Sequence, residues 1–214
     1  MNDVTTVNPN LPAPVAGDDV FNSMAKSTGF KRIQLFGSNS LEVKKGDIPC
    51  GVFAVVDGSE KTVLGKSFDC LVLDWRPKAI RIEPVMEFSY DTTSDTFKAI
   101  QAESTVKDSK CMCGIEFLLW IPKEGFIPYY LSNKSSMYEA KPLRALIGKA
   151  ATIKTILIEG KEFSWHAPKV ASCSVPMAEL PTAEDIDAEK ANFRTPQATM
   201  AAMASEAEKD TRAH

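Results

Sequence analysis

From residue 31 onward, short apolar and β-branched runs alternate with clusters of Gly, Asn, Asp and Ser, the pattern of strands separated by tight turns. Residues 31–36 form the first predicted strand, ended by Gly37-Ser38-Asn39, and residues 51–56 the second. Asp57-Gly58 ahead of Thr62-Val63-Leu64 predicts a hairpin, because Asp-Gly supplies the positive φ values such turns require. Residues 68–75 have the composition of a central strand. Residues 80–88 are expected to be extended, with Pro84 confining them to an edge or bulge, and residues 89–96 to be an exposed loop.

The most apolar run, residues 112–121, turns at Pro122-Lys123-Glu124-Gly125 into residues 126–131, a second hairpin. A helix is expected next. Ser136 and Glu139 have capping-box spacing, Leu143, Leu146 and Ile147 supply an apolar stripe, and Gly148 stops it, while Pro142 suits a first turn better than an interior. Residues 152–158 and 162–170, joined by Glu159-Gly160, predict a third hairpin. Pro181-Thr182-Ala183-Glu184-Asp185 begins a short helix, and residues 199–212 have high helix propensity with little apolar surface. The fold expected is α+β and β-rich: an antiparallel, strongly curved sheet or small OB-like barrel with one inserted helix and a C-terminal helical extension. Residues 1–28 are expected to be a flexible arm, 29–175 a β-rich binding domain, and 176–214 a polar, partly helical tail.

Charge sharpens this division. The net charge of −3 conceals acidic ends: residues 21–170 carry 21 Lys and Arg against 17 Asp and Glu, a body of +4. A mildly basic body with acidic ends suits a polyanion ligand, although solvated tails are commonly charged. The five cysteines are odd in number and follow no signal-peptide pattern, so reduced thiols and a cytoplasmic location are expected. No run approaches the roughly 18 apolar residues of a membrane span. No membrane partner is expected.

Two stretches carry a resemblance. One is Gly29-Phe30-Lys31-Arg32-Ile33-Gln34-Leu35-Phe36 with Ser40-Leu41-Glu42-Val43, Gly46-Asp47-Ile48-Pro49 and Gly51-Val52-Phe53. The other is Glu116-Phe117-Leu118-Leu119-Trp120-Ile121-Pro122 with Pro128-Tyr129-Tyr130-Leu131-Ser132 and Lys134-Ser135-Ser136 ahead of a helix. Both resemble phage-encoded single-stranded-DNA-binding proteins, and within them the group that serves as RNA polymerase cofactors in N4-like podoviruses. That resemblance implies a host-cell cytoplasmic protein whose partners are single-stranded DNA and a phage RNA polymerase or replication proteins, with homo-oligomerisation left open. A dense acidic terminus with an aromatic tip, present in many such proteins, is absent here. The role of the tail therefore stays open.

Single strands are held by cations that follow the phosphates and by flat rings on which bases stack, each stack worth about 1–3 kcal/mol. Trp75-Arg76-Pro77-Lys78 with Arg81 places an indole among three cations at the end of a predicted strand. Phe97-Lys98, Trp120 with Lys123, and Tyr129-Tyr130 with Lys134 and Tyr138 repeat the theme. Lys31-Arg32 and Lys44-Lys45 are expected to form a second cationic wall. On a strand, Tyr129 and Tyr130 face opposite sides, so only one can serve a stacking face. Each ring taken singly is more often core or rim than a base platform. The cluster carries the expectation.

Catalysis would depend on His166, because His214 is terminal and no nucleophile motif accompanies either. Cys111 and Cys113 lack the second pair that zinc usually takes, and no Gly-rich phosphate loop occurs. No metal, cofactor or enzymatic activity is expected. The function expected is non-catalytic, largely sequence-nonspecific binding of single-stranded DNA in phage replication or transcription. Its alternatives are an adaptor that recruits a polymerase or host factor through the tail near Met200 and Met203, and a structural virion component.

Overall fold

A computed structural model describes residues 31–83, 87–107, 109–132, 137, 141–161, 163–173 and 180–194. The elements are β1 (Arg32–Phe36), α1 (Leu41–Lys45), β2 (Val52–Asp57), β3 (Glu60–Gly65), β4 (Ser67–Arg81) and β5 (Glu87–Ser89). There follow α2 (Asp95–Glu103), β6 (Cys111–Ile121), β7 (Gly125–Leu131), a 3₁₀ helix (Lys141–Leu146), β8 (Lys149–Glu159), β9 (Ser164–Ser172) and α3 (Ala183–Arg194). The chain is a strand-rich α/β protein with antiparallel sheets and few helices. One sheet has the order β1-β2-β3; the other has the order β7-β6-β4-β8-β9, with β5 added to β4. No closed barrel is formed by the described residues. No described helix is long and apolar enough to cross a membrane.

The three expected hairpins are present: β2 to β3 closing at Asp57↔Glu60, β6 to β7 at Ile121↔Gly125, and β8 to β9 at Glu159↔Ser164. Strand β4 is central, paired with β6, β8 and β5. A bulge between Val72 and Asp74 divides it. Upstream, Phe68, Cys70 and Val72 enter the core between the sheets; downstream, Trp75 packs against that core while Arg76 and Lys78 lie on the outer face. One extra residue thus changes which side chains point inward.

The inter-sheet core joins Ile33, Phe53 and Val55 to Phe117, Leu119, Ile127, Tyr129 and Ile153, all buried. Phe53 meets Phe68 and Tyr129 edge-on, with ring centroids 5.1 Å and 6.4 Å apart. Tyr129 Oη is buried without a hydrogen-bond partner among the described residues. A buried hydroxyl left unpaired costs about 1–3 kcal/mol. Tyr129→Phe is therefore expected to raise stability by about 1 kcal/mol, read as a higher midpoint in urea; a lower midpoint would show that the hydroxyl is usefully bonded.

Several local expectations change. The chain does not run extended through residues 80–88: β4 ends at Arg81, and β5 returns to pair Ser89 with Ala79. The expected loop after it gives way at Ser94, whose side chain accepts from Phe97 N and caps α2. Among the described residues the inserted helical elements are α1, α2 and the 3₁₀ turn, where one helix was expected. Leu143 anchors that turn in the core, and Pro142 sits within it, where an α-helical interior would be broken. The capping box at Ser136 and Glu139, the arm over 1–28 and the helix over 199–212 lie outside the described residues.

Candidate nucleic-acid interface

The outer face of the larger sheet collects Arg76 and Lys78 from β4, Glu116 and Trp120 from β6 and Tyr130 from β7, because register partners share a face. Glu116 is buried and receives both cations, with Arg76 Nε at 2.8 Å and Lys78 Nζ on its other oxygen. The Arg76 guanidinium lies between two rings, 3.6 Å from the centroid of Tyr90 and 4.0 Å from that of Phe193. It also donates to the carbonyl of Phe193. Lys78 sits 5.4 Å from the Tyr130 ring, and the Tyr130 hydroxyl donates to the Lys78 carbonyl at 3.2 Å. Burial pushes both the Tyr90 and Tyr130 phenols up, with the charge of Glu116 adding to the rise.

Helix α3 covers this face. Phe193 packs with Leu73, Leu118 and Trp120, supported by Leu180 and Ile186, and Arg194 Nε donates to Asp74 Oδ2 at 2.6 Å. Trp120 is only 8% exposed beneath it. The expected cationic groove is accordingly an internal ion-pair network. Its positive charges are already matched by carboxylates and rings.

Other expected site residues are also reassigned. Tyr129 is a core residue at 2% exposure, and Phe97 is buried beside Ile100 where α2 meets Ala79 and Cys111. Both fill apolar space that their strand and helix faces leave between layers. Arg81 is bound by Glu87 and Glu103, each at 2.5 Å, and the hydrogen bond from Arg81 holds the Glu103 carboxyl below its ordinary range. Lys98 is exposed on α2, away from the Arg76 network. Lys44 and Lys45 are exposed in the last turn of α1. Arg32 is half-buried on β1, and desolvation pulls its guanidinium below the usual value against the opposing pull of Glu42. Lys31 Nζ reaches the Glu124 carbonyl at 3.5 Å, beside exposed Lys123 in the β6–β7 turn. These cations do not converge into one wall. Lys134 and Tyr138 lie outside the described residues.

Trp75 remains, in a different company from the one expected. It is half-buried at the border of the inter-sheet core, with the exposed Arg144 guanidinium 4.1 Å above its ring. In a 3₁₀ helix residues three apart eclipse one another, so Lys141 projects along the same side as Arg144. Lys149 opens β8 opposite Val72, on the Trp75 side of the sheet. Lys141, Arg144 and Lys149 are all exposed and form no ion pair with any described residue. An indole covered by Arg144, with Lys141 on the same turn and Lys149 on the same sheet face, is the grouping of cations outside ion pairs that the described residues offer beside an expected stacking ring. Arg144 lay hidden in sequence because it falls between the apolar positions Leu143 and Leu146, 69 residues from the ring it covers.

No family model, no curated protein and no solved structure matches this chain.

Proposed function

We propose that the chain is a non-catalytic, largely sequence-nonspecific single-stranded-DNA-binding protein of phage type, serving replication or transcription. The observation that supports this reading is the Trp75–Arg144 stack, with exposed Lys141 on the same 3₁₀ turn and exposed Lys149 on the same face of the sheet. A base can slide onto the open part of the indole, or replace Arg144 over it, while the three cations take neighbouring phosphates. A curved antiparallel sheet that presents its rings to an unpaired strand is the OB-like form of the same proposal.

Titration of a fluorescein-labelled oligo-dT, followed by anisotropy at two salt concentrations, tests it. Three to four neutralised phosphates give a slope of log affinity against log salt of about −2 to −3, at about 0.7 per phosphate. Trp75→Ala is expected to lower affinity by about tenfold or more, and Arg144→Ala to lower both affinity and slope. Binding should also quench tryptophan emission. A salt-independent or undetectable signal in the full chain would remove the proposal and leave the adaptor reading.

A further inference from the structure

The β1–β2 end of the smaller sheet meets the β8–β9 hairpin through a thiol and an imidazole that the DNA-binding reading does not use. Cys50, half-buried in the turn before β2, has its Sγ 3.6 Å from Nδ1 of His166 on β9. The ring is seated by its neighbour: Gly51 has φ 77°, and a Cβ there would stand 2.7 Å from both Cδ2 and Nε2 of His166. Gly51 N in turn donates to the Phe36 carbonyl at 2.7 Å, which fixes the turn against β1. Any side chain at position 51 would drive the imidazole away from the sulfur.

Three of the other described cysteines sit in different surroundings. Cys70 is fully buried and burial pushes its thiol up. Burial also raises the Cys113 thiol, and Cys111 donates its S–H to a Glu103 carboxylate oxygen at 3.1 Å. Among the described cysteines, Cys50 is the one with an imidazole nitrogen within reach of its proton.

We propose that Cys50 is a reactive thiol, activated by His166 and open to reversible mixed-disulfide formation with low-molecular-weight disulfides. With the ring proton on Nε2, Nδ1 accepts the thiol proton. The thiolate attacks one sulfur of the small disulfide; the Cys50–sulfur bond forms as the S–S bond of the reagent breaks. The departing thiolate takes the proton back from the imidazolium and leaves as a thiol. The small disulfide is itself the oxidant, and excess small thiol reverses the step.

Oxidised glutathione added to the full chain is the probe, with adducts located by peptide mass spectrometry after acid quench. Cys50 is expected to react first, to be released by dithiothreitol, and to yield no early adduct in Cys50→Ser. His166→Asn should slow Cys50 by about tenfold while leaving the slower rate of half-buried Cys173 unchanged, a pattern that a general loosening of the fold does not give. Gly51→Ala should act in the same direction by displacing the ring. If buried Cys70 becomes reactive in His166→Asn, that variant has opened and Gly51→Ala decides in its place. The proposal is overturned if Cys113 or Cys173 matches Cys50 in the unaltered chain, or if Cys50 keeps its rate when the imidazole is removed or displaced.

Discussion

Glu116→Gln is expected to lower folding stability by about 3–5 kcal/mol, the cost of removing one partner from a buried ion pair. Glu116 is 2% exposed, and the side chains of Arg76 and Lys78 retain only 17% and 18% of their surface. Both cations come from β4 and share one carboxylate from β6, across the Arg76↔Glu116 register. The Tyr90, Phe193 and Tyr130 rings soften the charge left over. The neutral amide keeps the shape of the carboxylate but strands two half-buried cations in a space that water reaches poorly. Urea denaturation followed by circular dichroism reads the loss. An unchanged midpoint would mean that solvent already screens the network, and the account of this face would fail.

Phe193→Ala is the second large effect, with an expected cost of about 3 kcal/mol and a local signature. Phe193 supplies the ring that packs on Leu73, Leu118 and Trp120 and closes the stack over Arg76. Without it, α3 keeps the Arg194–Asp74 bond but loses the apolar contact that seats the helix. Trp120 should then meet water and its emission shift to the red, and residues 183–194 should become the first site of tryptic cutting. Red-shifted emission absent and proteolysis unchanged would show that the helix is held chiefly by Leu180, Ile186 and Arg194. The same variant bears on binding: stronger oligo-dT affinity in Phe193→Ala would place part of the interface under α3 rather than at Trp75.

The strands were legible because their signal is local. Alternating β-branched residues punctuated by Asp57-Gly58, Glu159-Gly160 and Pro122 to Gly125 encode both the period and the turn, so all three hairpins follow from neighbouring residues. The short helices were not. Helix α1 has 5 residues and no buried side chain, and α2 shows its core face only through Phe97 and Ile100, too few positions to reveal a helical period. Phe97 thereby read as a surface ring beside Lys98. The outer sheet face misled for a different reason. Arg76, Lys78 and Arg81 look like a binding stripe along one strand, but what neutralises them arrives from Glu116, Glu103 and Glu87 on other elements. Pairing of that kind depends on sheet register, and composition does not disclose it. Trp75 was singled out from sequence with the wrong cations; the nearest one, Arg144, reaches it only through the 3₁₀ turn.

The irregularity in β4 makes this strand intolerant of changes in length. Even-numbered positions from 68 to 72 are core-facing and odd-numbered ones are core-facing from 75, so removing a single residue at the bulge would swap the two rows beyond it. The guanidinium and ammonium groups would be driven toward Phe117 while the indole turned to solvent. Substitution within this strand can be graded, side chain by side chain; insertion or deletion there acts as a frameshift in space.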